Sequence, residues 1–121
     1  MLSVAAAALG ADHVRAIDLA DAAVEATLDN ARRNDVGDAI TVDNAAVATV
    51  EGDYDIVVAN ILAPVLISMA GALKQLTTLT GTLIISGVLA DNHAHVLAAL
   101  APLRVVDTIE SHGWVAVTLQ H

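Results

Sequence analysis

The chain contains no cysteine and no phenylalanine, and its 121 residues include one tryptophan and one tyrosine. Without cysteine, neither a disulfide nor a thiolate metal site can form, and this composition is compatible with a cytoplasmic protein. Because aromatic residues are scarce while 56% of the chain is apolar, the interior must be built from Ala, Val, Leu and Ile. That profile favours a parallel sheet covered on both faces.

Positive charge is also scarce, because five Lys and Arg residues face 14 Asp and Glu residues and leave a net charge of −9. A protein that binds a phosphate backbone directly needs a basic stripe, so nucleic-acid binding is disfavoured. An acidic surface would suit a basic protein substrate, although acidity also serves solubility alone.

Two apolar segments raise the question of a membrane. Residues 1–11 have small side chains like a signal peptide but lack its positive start, so we interpret them as a helix. Residues 56–73 carry no charge over the minimum spanning length, but Asn60, Pro64 and Gly71 interrupt them. We therefore expect a strand followed by a helix there, and no membrane partner.

Helical and strand patterns alternate along the chain, which has the length of one domain. The predicted helices lie within residues 1–11, over 20–33, from 64 onward and over 91–101. The predicted strands cover 14–18, 39–42, 56–59 and 82–88, with an irregular link over 44–53. Two further extended runs, 103–110 and 113–119, predict an antiparallel hairpin with its turn at Ser111 and His112. This order indicates an α/β fold with a mostly parallel sheet and one antiparallel edge.

Polar side chains stand where two predicted strands end, which is where α/β sheets usually bind ligands. Asp18 could accept hydrogen bonds from both ribose hydroxyls of a nucleotide-like cofactor, or it could cap the helix that follows. Asn60 could take part in chemistry, or it could simply end its strand by bonding its own loop. From the residues alone, both alternatives stay open.

The remaining motifs point to no metal or nucleophilic site. His93 and His95 lie two apart on a predicted helix and so face different directions, which makes a poor metal pair. Gly81 and Gly87 lie on the wrong elements for a phosphate cradle, and there is no Ser-His-Asp set. Trp114, in the hairpin, is expected to be a packing anchor.

Four segments carry a resemblance to a known family. They are residues 17–34 (IDLADAAVEATLDNARRN), residues 60–63 (Asn-Ile-Leu-Ala), residues 83–92 (LIISGVLADN) and residues 112–119 (HGWVAVTL). In this order they resemble the ribosomal protein L11 methyltransferases. The resemblance implies a Rossmann-like class I methyltransferase sheet, S-adenosyl-L-methionine as cofactor, and methyl transfer to amino groups of a ribosomal protein.

The same resemblance assigns roles to particular residues. It makes Asp18 the ribose-binding aspartate and places Asn60 against the cofactor and the transferable methyl group. Ile61 would contact the cofactor as part of an apolar wall with Leu62 and Ala63. Asp43, at the end of its strand, could meet the adenine edge, although an exposed turn carboxylate is the reading we prefer for it.

The resemblance also implies what the chain does not contain. The family's first strand and glycine-rich cofactor loop would lie just before Met1, so we expect residues 1–121 to be a partial methyltransferase catalytic domain. The family's N-terminal substrate-recognition domain would also be absent. Two alternatives are a non-catalytic remnant or half-domain completed by a partner chain, and another Rossmann-like cofactor-binding domain such as a dehydrogenase fragment.

Overall fold

The computed structural model describes residues 2–18 and 20–121, which form two compact units divided between residues 50 and 51. The first unit contains α1 (Leu2–Ala8), β1 (Val14–Ile17), α2 (Asp21–Arg33) and β2 (Ile40–Asp43). The second contains β3 (Tyr54–Asn60), α3 (Ala63–Leu76), β4 (Thr77–Leu89), α4 (His93–Leu100), β5 (Arg104–Ser111) and β6 (Trp114–Gln120). The predicted alternation of helices and strands is confirmed. The predicted link over 44–53 is irregular apart from a short 3-10 turn, Val47–Thr49.

In the first unit, β1 and β2 form a parallel pair that runs from Val14 opposite Ile40 to Ile17 opposite Asp43. The core of this unit is small and aliphatic, because Ala31 of α2 packs with Ala7 and Ile40. Parallel pairing brings the carboxyl ends of both strands to the same edge. Asp18 and Asp43 therefore lie side by side there, as the Asp18 N–H donates to the Asp43 carbonyl oxygen at 3.1 Å.

In the second unit the strand order is β3-β4-β6-β5. β3 pairs with β4 in parallel, and β6 pairs antiparallel with both β4 and β5. One face of β3, β4 and β6 is covered by helices, because α3 packs against β4, β3 and α4, whereas every residue of β5 is exposed. The fully buried side chains of this unit are Leu66, Leu83, Ile85, Val88, Val96, Leu100, Val117 and Leu119.

The expectation that both faces of the sheet are covered is wrong for β3. Ala59 is buried, but Ile56 and Val58 on the opposite face are 64% and 47% exposed. Successive side chains of a strand point to opposite faces, so this difference belongs to the faces and not to the residue types. In the described part of the chain, β3 pairs with β4 alone.

β4 is longer than predicted because it begins at Thr77 and not at Thr82. The pairing with β3 moves from Tyr54 opposite Thr77 directly to Ile56 opposite Thr82, so residues 78–81 form an irregular stretch. Regular pairing starts at Thr82, where the apolar pattern predicted it. Residues 77–81, which are rich in Thr, lack the apolar pattern from which the strand was predicted.

The hairpin is confirmed, but its turn lies one residue later than predicted. His112 has φ 53° and Gly113 has φ 81°, and two central residues with positive φ define the turn that best matches the twist of a hairpin. Glycine adopts positive φ without steric cost, so Gly113 belongs to the turn and not to the strand. Among the helices that the structure describes, none is long and apolar enough to cross a membrane.

Two glycines that have open space around them should respond to alanine in opposite directions. A Cβ at Gly113 or Gly71 would meet no atom within 4 Å, so only backbone preference matters. Gly113→Ala should lower the free energy of unfolding by roughly 1–2 kcal/mol, because its φ is positive. Gly71→Ala, inside α3, should raise it by roughly 0.5–1 kcal/mol. Urea melts of the two variants test this, and a shift of both in the same direction would contradict the turn assignment.

Candidate functional site

Asn60 is the last residue of β3, and its position follows from the local sequence. The β-branched residues 56–58 favour an extended strand, while Pro64 in the first turn of α3 favours the start of a helix. Only Ile61 and Leu62 lie between these two elements. Asn60 pairs with Ser86 of β4, so it stands at the carboxyl edge of the parallel pair.

The amide of Asn60 is exposed to solvent. Among the residues that the structure describes, none forms a hydrogen bond with this side chain. The sequence also allowed Asn60 to end its strand by forming a hydrogen bond with its own loop, and no such bond is found among the described residues. An amide in this position can accept one hydrogen bond through Oδ1 and donate two through Nδ2.

The three apolar residues after Asn60 are not equivalent. Ala63 is buried at the start of α3, Ile61 is half-buried and Leu62 is 64% exposed. Only Ile61 and Leu62 therefore have surface near Asn60 that a ligand could contact. The predicted wall is narrower than three residues, because the helix begins early enough to place Ala63 in the core.

Gly87 is the residue that sequence reasoning missed at this site. A Cβ at Gly87 would lie 2.8 Å from Oδ1 of Asn60, and its φ of 78° is unfavourable for other residues. From the sequence, Gly87 is only a poor phosphate-loop candidate, because it lies inside the strand predicted over 82–88. A glycine inside a predicted strand often marks a bulge or a close approach, and this was the available signal.

In the first unit, Asp18 follows the last residue of β1. Its Oδ1 accepts a hydrogen bond from the backbone N–H of Ala20, the residue that precedes α2. This bond is a local turn contact and not a helix cap, because the N-cap residue of α2 is Ala20 and it has no side-chain cap bond. In the described residues Oδ2 has no such bond, so the carboxylate retains a free acceptor at the strand end.

Asp43 forms an ion pair with Arg15 across the two parallel strands. The guanidinium of Arg15 donates to Oδ2 at 2.9 Å and to Oδ1 at 3.2 Å, and the N–H of Ala45 donates to Oδ1 at 3.0 Å. The two side chains are 44% and 28% exposed for Asp43 and Arg15. From the sequence we preferred an exposed turn carboxylate, whereas Asp43 is a half-buried, ion-paired carboxylate at the end of β2.

Two further sequence candidates lie outside these sites. Trp114 is 48% exposed, so its prediction as a packing anchor is wrong. It pairs with Leu89 of β4 and Ser111 of β5, next to the hairpin turn. The Nδ1 atom of His93 lies 2.6 Å from the carbonyl oxygen of Ala90, which is a helix-start contact. Within the described ranges, no group of three metal-ligating side chains is found.

The family model and the related proteins that match this chain all point to the same family. The model of the family described as ribosomal protein L11 methyltransferase (PrmA) matches residues 1–121. The chain is 40% identical over 120 residues to a ribosomal protein L11 methyltransferase of an Exiguobacterium species, covering 97% of this chain and 38% of that protein. It is 40% identical over 119 residues to the one of Marinobacter nauticus, covering 98% of this chain and 40% of that protein. The chain thus spans about two fifths of the relatives' length.

Solved structures agree with the sequence relatives. The crystal structure of ribosomal protein L11 methylase from Lactobacillus delbrueckii subsp. bulgaricus superimposes with a TM-score of 0.92 at 29% identity, covering 99% of this chain and 65% of that one. An RNA methyltransferase from Salinibacter ruber, solved in complex with S-adenosyl-L-homocysteine, shares the fold with a TM-score of 0.76 at 12% identity, covering 97% of this chain and 71% of that one. The predicted class I methyltransferase fold is confirmed, in partial form. The chain belongs to the ribosomal protein L11 methyltransferase family.

Proposed function

We propose that residues 1–121 are part of a catalytic domain that transfers methyl groups from S-adenosyl-L-methionine to amino groups of a ribosomal protein. The observation that carries the proposal is Asn60, an exposed amide at the carboxyl end of β3, within a chain whose whole length matches the family model. A dehydrogenase would have no use for an amide at this point, and no match reported above is a dehydrogenase.

The residues at the strand ends fit a nucleoside cofactor. Asp18 keeps one carboxylate oxygen without a hydrogen bond among the described residues, and this oxygen could accept from ribose hydroxyls. Asp43 uses both oxygens toward Arg15, yet a carboxylate has about four acceptor positions and only three are taken here. One acceptor remains for an exocyclic amine such as that of adenine. Ile61, half-buried, would supply an apolar contact.

Asn60 would align the amine that receives the methyl group. When bound, the cofactor would supply an electrophilic methyl carbon on a sulfonium, and transfer would need an uncharged amine placed in line more than an acid or base. The Oδ1 atom of Asn60 could accept a hydrogen bond from that amine and so direct its lone pair. An amide does this without adding a charge that would hold the amine in its protonated form.

The proposed substrate is a basic protein, which agrees with the net charge of −9. The relatives are named for ribosomal protein L11, and a ribosomal protein is the substrate class that we assign. Such proteins are made in the cytoplasm, where we place this reaction. Direct contact with nucleic acid is not part of the proposal, because five cations leave no basic stripe.

A second candidate is a half-domain whose sheet a partner chain completes. One observation favours it, namely that β3 pairs on one side only while Ile56 and Val58 stay exposed in the described structure. The unpaired N–H and C=O groups of an edge strand offer a template for another strand. The two candidates differ in whether the added strand comes from the same polypeptide or from another one.

An N-terminal extension with the family's first strand and glycine-rich loop should raise both stability and cofactor affinity. The strand would pair with the edge of β3 that is unpaired in the described residues, and the loop would supply N–H groups at a helix N-terminus for the cofactor. Denaturant melts and calorimetric titration with S-adenosyl-L-homocysteine, with and without the extension, measure this. As control, a scrambled extension of the same composition should change neither quantity. If the 121-residue chain alone binds in the micromolar range and the extension adds nothing, our account of the incomplete site is wrong.

In the extended chain, Asp18→Ala should weaken cofactor binding by roughly 1.5–3 kcal/mol, the range for hydrogen bonds to a charged acceptor. Asn60→Ala should reduce the methyl-transfer rate more than it reduces binding, because it acts on the amine. Asp12→Ala and Asn92→Ala remove exposed side chains of the same types and serve as matched controls. Calorimetry and transfer of a labelled methyl group to a ribosomal protein give the two readouts. Loss of thermal stability alone, with binding and rate intact, would restrict both residues to structural roles.

A further inference from the structure

The backbone of β4 contains a bulge next to Asn60. Opposite β6, the pairing passes from Ile85–Val117 to Val88–Val115, so β4 uses one residue more than its partner between these pairs. The extra residue falls at Ser86 or Gly87, and Gly87 has φ 78°. A glycine with positive φ is the usual first residue of one bulge type, and bulges often redirect side chains near functional sites.

The space around Gly87 is as restricted as its backbone. A Cβ there would lie 2.8 Å from Oδ1 of Asn60, 3.3 Å from the carbonyl oxygen of Ile61 and 3.4 Å from the nitrogen of Ile61. The first of these distances is shorter than real Cβ contacts, and it is made with the atom that the proposed function uses. The φ angle therefore favours glycine at residue 87, and a Cβ there would force the Asn60 amide to move from its observed position.

We propose that Gly87 is a positioning residue that sets the location of the Asn60 amide. Among the described residues none forms a hydrogen bond that would fix the Asn60 side chain, and the close approach of its Oδ1 to Gly87 is the contact from which we argue. Because Gly87 has no Cβ, Oδ1 of Asn60 can approach the backbone of β4 at this residue. The bulge in β4 lies at the same point of the strand. Any side chain at this position would displace Oδ1. The inference rests on the proposed function of Asn60 for its catalytic meaning.

A second glycine of β4 with little space around it, Gly81, provides a control that separates a structural role of Gly87 from a positioning role. A Cβ at Gly81 would lie 2.6 Å from Oγ1 of Thr78 and 2.9 Å from the carbonyl oxygen of Asp55. Gly81 lies at the opposite end of the paired region from Asn60, because Thr82 pairs with Ile56 and Ser86 with Asn60. Gly81→Ala is therefore a matched control that should destabilise the sheet without contacting Asn60.

The first test is a double-mutant cycle on the melting temperature of the 121-residue chain. Gly87→Ala is introduced into the parent chain and into the Asn60→Ala variant, which lacks Oδ1. The backbone strain that Gly87→Ala introduces is the same in the parent chain and in the Asn60→Ala variant. Only the parent has the contact with Oδ1, so we expect Gly87→Ala to lower the melting temperature of the Asn60→Ala variant by about 2 °C less, or still less, than that of the parent. Gly81→Ala should cost the same in both backgrounds. Additive effects of Gly87→Ala and Asn60→Ala would overturn the inference.

The second test reads the Asn60 side chain directly. The NMR signals of its Nδ2 amide protons should move in Gly87→Ala and keep their positions in Gly81→Ala. Gly87→Asn covers the case in which Gly87→Ala does not fold, because asparagine tolerates positive φ but still carries a Cβ. Unmoved Asn60 signals in a folded residue-87 variant would overturn the inference. Neither test uses cofactor or methyl transfer, so a failure of the proposed function would be seen separately in the Asn60→Ala rate.

Discussion

The parallel pairing of β3 with β4 is the interaction on which the candidate chemistry depends. It runs from Ile56 opposite Thr82 to Asn60 opposite Ser86, and it fixes where β3 ends. A slip of one residue would turn Ala59 out of the core and Asn60 into it, which the buried helix-facing side of the sheet prevents. The burial of Leu83 and Ile85 thus determines the position of an exposed amide. The packing of the buried face thus fixes the β3–β4 register, and the register fixes the residue proposed to act in methyl transfer, Asn60.

The first unit uses the same constraint with charged residues. Parallel pairing of β1 and β2 places Asp18 and Asp43 at one edge, where two carboxylates would repel each other. Arg15 lies in the middle of β1 and donates to both oxygens of Asp43, which offsets that repulsion. The bound Asp43 and the partly free Asp18 are different kinds of acceptor.

Much of the fold could be predicted from the sequence, because aliphatic runs and helical spacing are local signals. The strand over 56–59, the helix from Pro64 and the final hairpin are present, and the strand-end position of Asn60 followed from them. What could not be predicted depends on distant neighbours. The Arg15–Asp43 ion pair joins residues 28 positions apart, and the exposure of Trp114 depends on which elements cover the sheet end. The role inferred for Gly87 depends on its distance from Asn60, which only the three-dimensional structure gives.

The central claim is that, in each unit, residues at the carboxyl end of the parallel strand pair contact the cofactor of a methyltransferase domain: Asp18 and Asp43 in the first unit, and Asn60 in the second. The most direct measurement is an NMR titration of the labelled chain, carrying the family's first strand and glycine-rich loop, with S-adenosyl-L-homocysteine. Our account predicts backbone amide shifts at Asp18, at Asp43 and over residues 60–62. Shifts confined to the opposite strand ends, near Tyr54 and Thr82, or no shifts at saturating ligand, would contradict it.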